Sequence, residues 1–133
     1  WCSLVFIDTS GWICFFARRG FPELKRVISD LLDEDRVATA GPVFLELVLG
    51  CRSEAERREL EDCLEGVRWL PVENDHWRQA ARLVFDLRRK GVTVPAMDAL
   101  IATVALANSC VLLHRDRDYF KIAELTGLRS FTG

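Results

Sequence analysis

The chain has 133 residues, half of them apolar, with 18 basic and 20 acidic side chains and a net charge of −2. That length suits a single domain over residues 1–133 with a real core, and so small a charge provides no global basic field for nucleic acid. Five scattered cysteines (Cys2, Cys14, Cys51, Cys63, Cys110), odd in number and without a C-x-x-C pair, argue against a disulfide framework or zinc site and for a reduced, cytoplasmic protein.

The opening apolar run, Leu4 to Ile7, ends at Asp8, too short for a signal peptide, and no stretch is long and apolar enough to enter a membrane. Because the chain opens on Trp1, further native residues are expected before it. Leu4-Val5-Phe6-Ile7 reads as a strand buried on both faces, and Thr9-Ser10-Gly11 leads into an apolar helix through Phe16. Pro22 opens a helix to about Asp33, with Leu24, Val27, Ile28, Leu31 and Leu32 on one face. Arg36 to Ala40 is a short strand. Gly41-Pro42 begins a helix that Gly50 ends, and Ser53 with Glu56 forms a capping box for the charged helix that follows. A strand lies within Arg68 to Val72. Asn74 caps a long helix to about Lys90, stopped by Gly91. A helix from Ala96 to Asn108 leads into the apolar strand Cys110 to His114, then a helix near Tyr119 to Leu125 and an edge strand within Leu128 to Phe131. Strands alternating with helices predict an α/β fold, a three-layer α/β/α arrangement around a mainly parallel sheet.

Four carboxylates stand in unusual company. Asp8 lies just past the carboxyl end of a buried strand, where open α/β sheets place their ligands. Asp8 or Ser10 could equally cap the next helix. Glu46 is the only charge between Val37 and Cys51, on an apolar helix face, so it needs a partner. An ion pair with Arg52 or Arg36 is the structural alternative. Asp98 occupies the first turn of its helix, where the macrodipole also favours an anion. Asp116 repeats the position of Asp8, and Asp118 is either a helix cap, a supporting group or a ligand. Two unit charges ~4 Å apart repel by about 4 kcal/mol at an effective dielectric of 20, so a chain gathering these acids needs something to neutralise them. Oxygen donors with no Cys or His partner suit Mg²⁺ or Mn²⁺ better than zinc, and the chemistry such a site serves best is phosphoryl transfer.

Those residues carry a resemblance. Phe6-Ile7-Asp8-Thr9-Ser10, Glu46-Leu47-Val48-Leu49-Gly50, Asp98-Ala99-Leu100-Ile101-Ala102 and Arg115-Asp116-Arg117-Asp118-Tyr119-Phe120, in that order, resemble the motifs of the PIN-domain ribonucleases, most closely the VapC toxins of toxin–antitoxin pairs. Arg89-Lys90-Gly91 also looks like the family. The resemblance implies a PIN-like fold, a metal-dependent endoribonuclease, and Mg²⁺ or Mn²⁺ held by Asp8, Glu46, Asp98 and Asp116, with Ser10 supporting the first acid. It further implies an RNA substrate, a VapB-type antitoxin and a homodimer. A catalytically inactive PIN-like binding module is the alternative, and the intact acids argue against it. A receiver domain would want an acidic pair before the first strand's acid and a lysine at a late strand end, and neither is present.

The chain departs from the family at His114, where Thr or Ser is usual, and at Tyr119, where Phe is usual. His114 could bind metal or shuttle protons; apolar neighbours favour simple packing. The tyrosine suggests no chemical consequence by itself. Arg115 and Arg117 are candidates to line an RNA path, although solvated arginines are common. Trp12, Trp69, Trp77, Phe15, Phe16, Phe44 and Phe85 read as core or subunit-interface aromatics. With Phe21, those of the first helices exceed what one face of a small domain hides, which predicts an apolar interface there.

Overall fold

The computed structural model describes residues 4–132, and Cys2 lies outside them. Five strands form one all-parallel sheet in the order β3-β2-β1-β4-β5: β1 (Val5–Ile7), β2 (Val37–Ala40), β3 (Arg68–Leu70), β4 (Val111–Leu113) and β5 (Ser130–Phe131). Seven helices connect them among the described residues: α1 (Thr9–Phe16), α2 (Pro22–Asp33), α3 (Gly41–Leu49), α4 (Glu54–Glu65), α5 (Asn74–Arg89), α6 (Ala96–Ala107) and α7 (Asp118–Leu125).

Successive side chains of a strand point to opposite faces of a sheet. Val5, Phe6 and Ile7 are all buried, as are all four residues of β2, so helices cover both faces as the apolar runs required. At the sheet's edge, β3 is exposed at Arg68 and Trp69, which is why its pattern was weak in the sequence. The core joins the central strands to α6, in which every residue from Asp98 to Ala105 is buried.

Strand β1 sits between β2 and β4, with Ile7 in register with Leu113. The chain leaves β1 toward β2 and β3 on one side and fills β4 and β5 on the other. This is a topological switch point, and it opens a crevice beyond the carboxyl ends of β1 and β4. Gly11 permits the tight passage from β1 into α1. A Cβ there would lie 2.8 Å from Ile7 Cγ2 and 3.0 Å from Leu113 Cδ2.

Two local readings are corrected. Helix α5 is capped by Glu73, not Asn74: the Glu73 side chain and His76 reciprocate in a capping box, with His76 Nδ1 accepting from the Glu73 N–H at 2.9 Å. The apolar surface also differs from expectation. Trp12 is fully buried, with Phe15 and Phe16 packed around its ring at 5.7 and 5.8 Å. Phe21 is exposed as expected, and the other large exposed apolar side chains among the described residues are Ile13 on α1, Leu45 and Leu49 on α3, and Trp69, Trp77, Phe85, Leu106 and Phe120 further along the chain. Cys14, Cys51, Cys63 and Cys110 are free thiols, and no helix among the described residues is long and apolar enough to cross a membrane.

Candidate metal centre

Asp8 is both of the things its sequence position allowed. It caps α1, its Oδ1 accepting the Gly11 N–H at 2.9 Å, and it stands at the end of β1 in the crevice. The Ser10 hydroxyl donates to both Asp8 oxygens, at 2.7 and 2.9 Å, and accepts the Arg115 N–H at 2.9 Å. One serine thus ties the loop after β1 to the end of β4. Only 2% of Asp8 is exposed, and burial pushes its carboxyl up to about 6 against the hydrogen-bond donors of Gly11, Ser10 and Tyr119 that favour the anion.

Beside it, oxygens of Asp98, Asp116 and Asp118 lie within 4.8 Å of one another. Asp98 projects from the first turn of α6, and its Oδ2 is buried without a hydrogen-bond partner among the described residues. Burial first, then the adjacent Asp116 carboxyl, and then Asp8 and Asp118 push Asp98 up to about 8. Near neutral pH the metal-free cluster therefore retains a proton. Asp116 is positioned by the turn into α7: its Oδ1 accepts the Asp118 N–H at 2.9 Å. Asp118 opens α7, pairs with Lys121 at 3.2 Å, and belongs to the cluster.

Glu46 stands apart from that group. Its partner is neither Arg52 nor Arg36 but the Thr9 hydroxyl, which donates to Oε1 at 2.6 Å. Since Thr9 adjoins Asp8, the bond ties α3 to the rim of the crevice. Thr9 is a residue that sequence reasoning missed, for its bond spans 37 positions and no local pattern signals it.

His114 packs, as its neighbours suggested. It is fully buried, its ring 4.9 Å from that of Tyr119 and 5.0 Å from that of Phe120. Its Nδ1 accepts the Asp116 N–H at 3.2 Å, and burial lowers its pKa, which leaves a neutral ring. Arg115 and Arg117 are exposed, and the Arg115 guanidinium lies over the Phe21 ring at 5.4 Å. Tyr119 is fully buried, and its hydroxyl makes no well-formed hydrogen bond among the described residues, yet lies near enough to Asp8 to favour that carboxylate's anion.

The donor set fits a hard divalent cation. It consists of carboxylate oxygens, one of them buried without a donor, crowded closely enough to resist joint ionisation.

A sequence model of the family described as PIN domain matches residues 5–125. Ribonuclease VapC11 of Mycobacterium tuberculosis is 31% identical over 132 residues, which cover 96% of this chain and 97% of that protein. In structure, the chain is similar to FitAcB from Neisseria gonorrhoeae, with a TM-score of 0.79 at 19% identity over 97% of each chain. It is also similar to VapBC-5 from Mycobacterium tuberculosis, a member of the VapBC family of toxin–antitoxin systems. That match has a TM-score of 0.67 at 27% identity and covers 99% of this chain and 100% of the other. Four motifs in order, a parallel sheet with its acids at the switch point and a match across nearly the whole sequence agree: the chain belongs to the PIN-domain family, among its VapC members.

Proposed function

We propose that this chain is an endoribonuclease that hydrolyses RNA phosphodiester bonds with Mg²⁺ or Mn²⁺ and acts as the toxin of a toxin–antitoxin pair. The observation that carries this reading is the meeting of Asp98, Asp116 and Asp118 oxygens within 4.8 Å, beside buried Asp8, at the switch point of the sheet. Its family supports the same activity.

Asp8, Asp98 and Asp116 would hold the ion, with Asp118 close enough to join them and Glu46 at the rim. When bound, a divalent ion supplies a Lewis acid for the phosphate oxygens and a water activated for attack on phosphorus. Asp98 must give up its proton to become a ligand, so ion binding below about pH 8 is coupled to proton release. Ser10 and the Gly11 N–H keep Asp8 in one orientation throughout. Arg115 and Arg117, exposed on either side of Asp116, are the cations placed to meet RNA phosphates. His114 takes no part as ligand or proton carrier in this reading, because its ring is buried, neutral and engaged at Nδ1.

The restraint on such an enzyme would be a VapB-type antitoxin. A groove of about 450 Å³ between α1, α3 and α4 is lined by Ile13, Phe16, Leu47 and Leu60, with Glu46 at its edge. It suits an apolar segment that carries a basic side chain toward the acids. The chain as a whole is read as one cytoplasmic PIN domain over residues 1–133 that works as a homodimer.

Cleavage of RNA with Mg²⁺ or Mn²⁺ should vanish in Asp98→Asn and Asp116→Asn while circular dichroism remains native. Expression without the antitoxin should arrest growth for the wild type and not for Asp116→Asn. Wild-type cleavage rates in either variant, or in excess EDTA, would refute the metal-dependent reading.

A further inference from the structure

Tyr119 is the only tyrosine in the chain. Its ring is fully buried against His114, in a place that phenylalanine would fill equally well. The hydroxyl is thus an addition that ring packing does not require, and burying it unpartnered is unfavourable. It does not face apolar surroundings. Burial first, then Asp8, Asp98 and Asp116, keep its proton in place, and Asp8 lies within hydrogen-bonding reach of it. A buried hydroxyl that faces a carboxylate and makes no well-aligned bond is a donor available to it. Asp8 has room for it: Oδ1 already accepts from Gly11 and Ser10, whereas Oδ2 accepts only the longer of the Ser10 contacts.

We propose that Tyr119 is a positioning residue of the metal site, whose hydroxyl donates to the Asp8 carboxylate when a divalent ion draws the acids together. This rests on the metal site proposed above and adds to it a supporting donor from α7. Asp8 would then be held from two sides, by Ser10 and Gly11 at the start of α1 and by Tyr119 across the crevice. Donors of this kind orient a ligating carboxylate, and their loss typically weakens metal affinity by about tenfold or more.

Because Tyr119 is the sole tyrosine, protein labelled isotopically at tyrosine Cζ should give one NMR signal, sensitive to hydrogen bonding of the hydroxyl. Titration with Mg²⁺ should move that signal, saturating over the same concentrations that raise the melting temperature. The movement should be absent in Asp8→Asn. In parallel, Tyr119→Phe should melt no lower than wild type in EDTA, yet its Kd for Mn²⁺ by calorimetry should rise about tenfold. A signal that stays still while the ion stabilises the protein, or an unchanged Kd in Tyr119→Phe, overturns the assignment and leaves the metal site standing. If neither ion stabilises wild type, the metal site fails and Tyr119's role fails with it. Should Tyr119→Phe not fold, the wild-type titration decides alone.

Discussion

Replacing Asp98 by asparagine should stabilise the metal-free protein at alkaline pH and destabilise it, relative to wild type, once Mn²⁺ is present. The Asp98 carboxyl is pushed from 3.8 to about 8, by burial and then by Asp116. A carboxyl whose pKa rises on folding binds its proton more tightly in the folded state. Its contribution to stability is therefore complete below about pH 4 and is lost as pH rises through about 8. At ~1.4 kcal/mol per pH unit the whole span corresponds to ~6 kcal/mol. Solvent reaching Asp116 and Asp118, both only half-buried, screens roughly half of that and leaves ~3 kcal/mol. For a chain of this size, ~3 kcal/mol is about 10 °C in Tm. Thermal melts in EDTA at pH 5 and pH 8.5 should show wild type losing about that much more than Asp98→Asn, whose amide mimics the protonated acid and cannot ionise. In excess Mn²⁺ at pH 8.5 the order should reverse, since an ion at a thousandfold excess over its Kd adds about 4.1 kcal/mol to wild type. Equal losses between the two pH values in both proteins would refute the crowding argument.

Other outcomes follow from single contacts. Gly11→Ala gains about 1 kcal/mol of helix propensity, but its Cβ at 2.8 Å from Ile7 and 3.0 Å from Leu113 outweighs this, so denaturant melts should show a net loss of about 1–2 kcal/mol. Thr9→Val removes the donor to Glu46 and should cost about 1 kcal/mol by the same assay, with reduced RNA cleavage that Thr9→Ser restores. Light scattering at micromolar concentration should report about twice the chain mass, and a monomer throughout that range would remove the homodimer from the proposal.

How much of this was legible in the sequence depended on whether the signal was local. Asp8 interrupts the apolar run at the end of β1, Asp116 follows the end of β4 after His114 and Arg115, and Asp98 opens an otherwise apolar helix, so burial and chain direction alone pointed at them. Glu46 was legible as an isolated charge, but its partner was not, because Thr9 reaches it only through the packing of α1 on α3. Helix direction decided the aromatic residues. Trp12 and Ile13 are adjacent in sequence, yet the first is fully buried and the second 59% exposed. Composition counts both as apolar and cannot say which face the core will claim. The cap of α5 moved by one residue because His76 answers Glu73, a pairing less familiar than an asparagine cap. Tyr119 looked inconsequential because its departure from phenylalanine matters only where its hydroxyl ends up.

The same few atoms serve the fold and the site. Asp8 Oδ1 caps α1, the Ser10 hydroxyl bridges Asp8 to the backbone after β4, and the Asp116 carboxylate accepts the N–H of Asp118 as α7 begins. Each is a local satisfaction of backbone or side chain that would exist without catalysis. What local structure does not account for is the convergence of the carboxylates themselves, with Asp98 Oδ2 buried and undonated among them. Asparagine caps a helix about as well as aspartate, so Asp8→Asn keeps the structural half of the arrangement and removes the charge, whereas Asp8→Ala removes both. The crowding is unfavourable in the metal-free protein, and on the proposed reading a cation among the acids would make it favourable. Stability and activity would then be linked through one site, the protein being most stable in the state proposed to cleave.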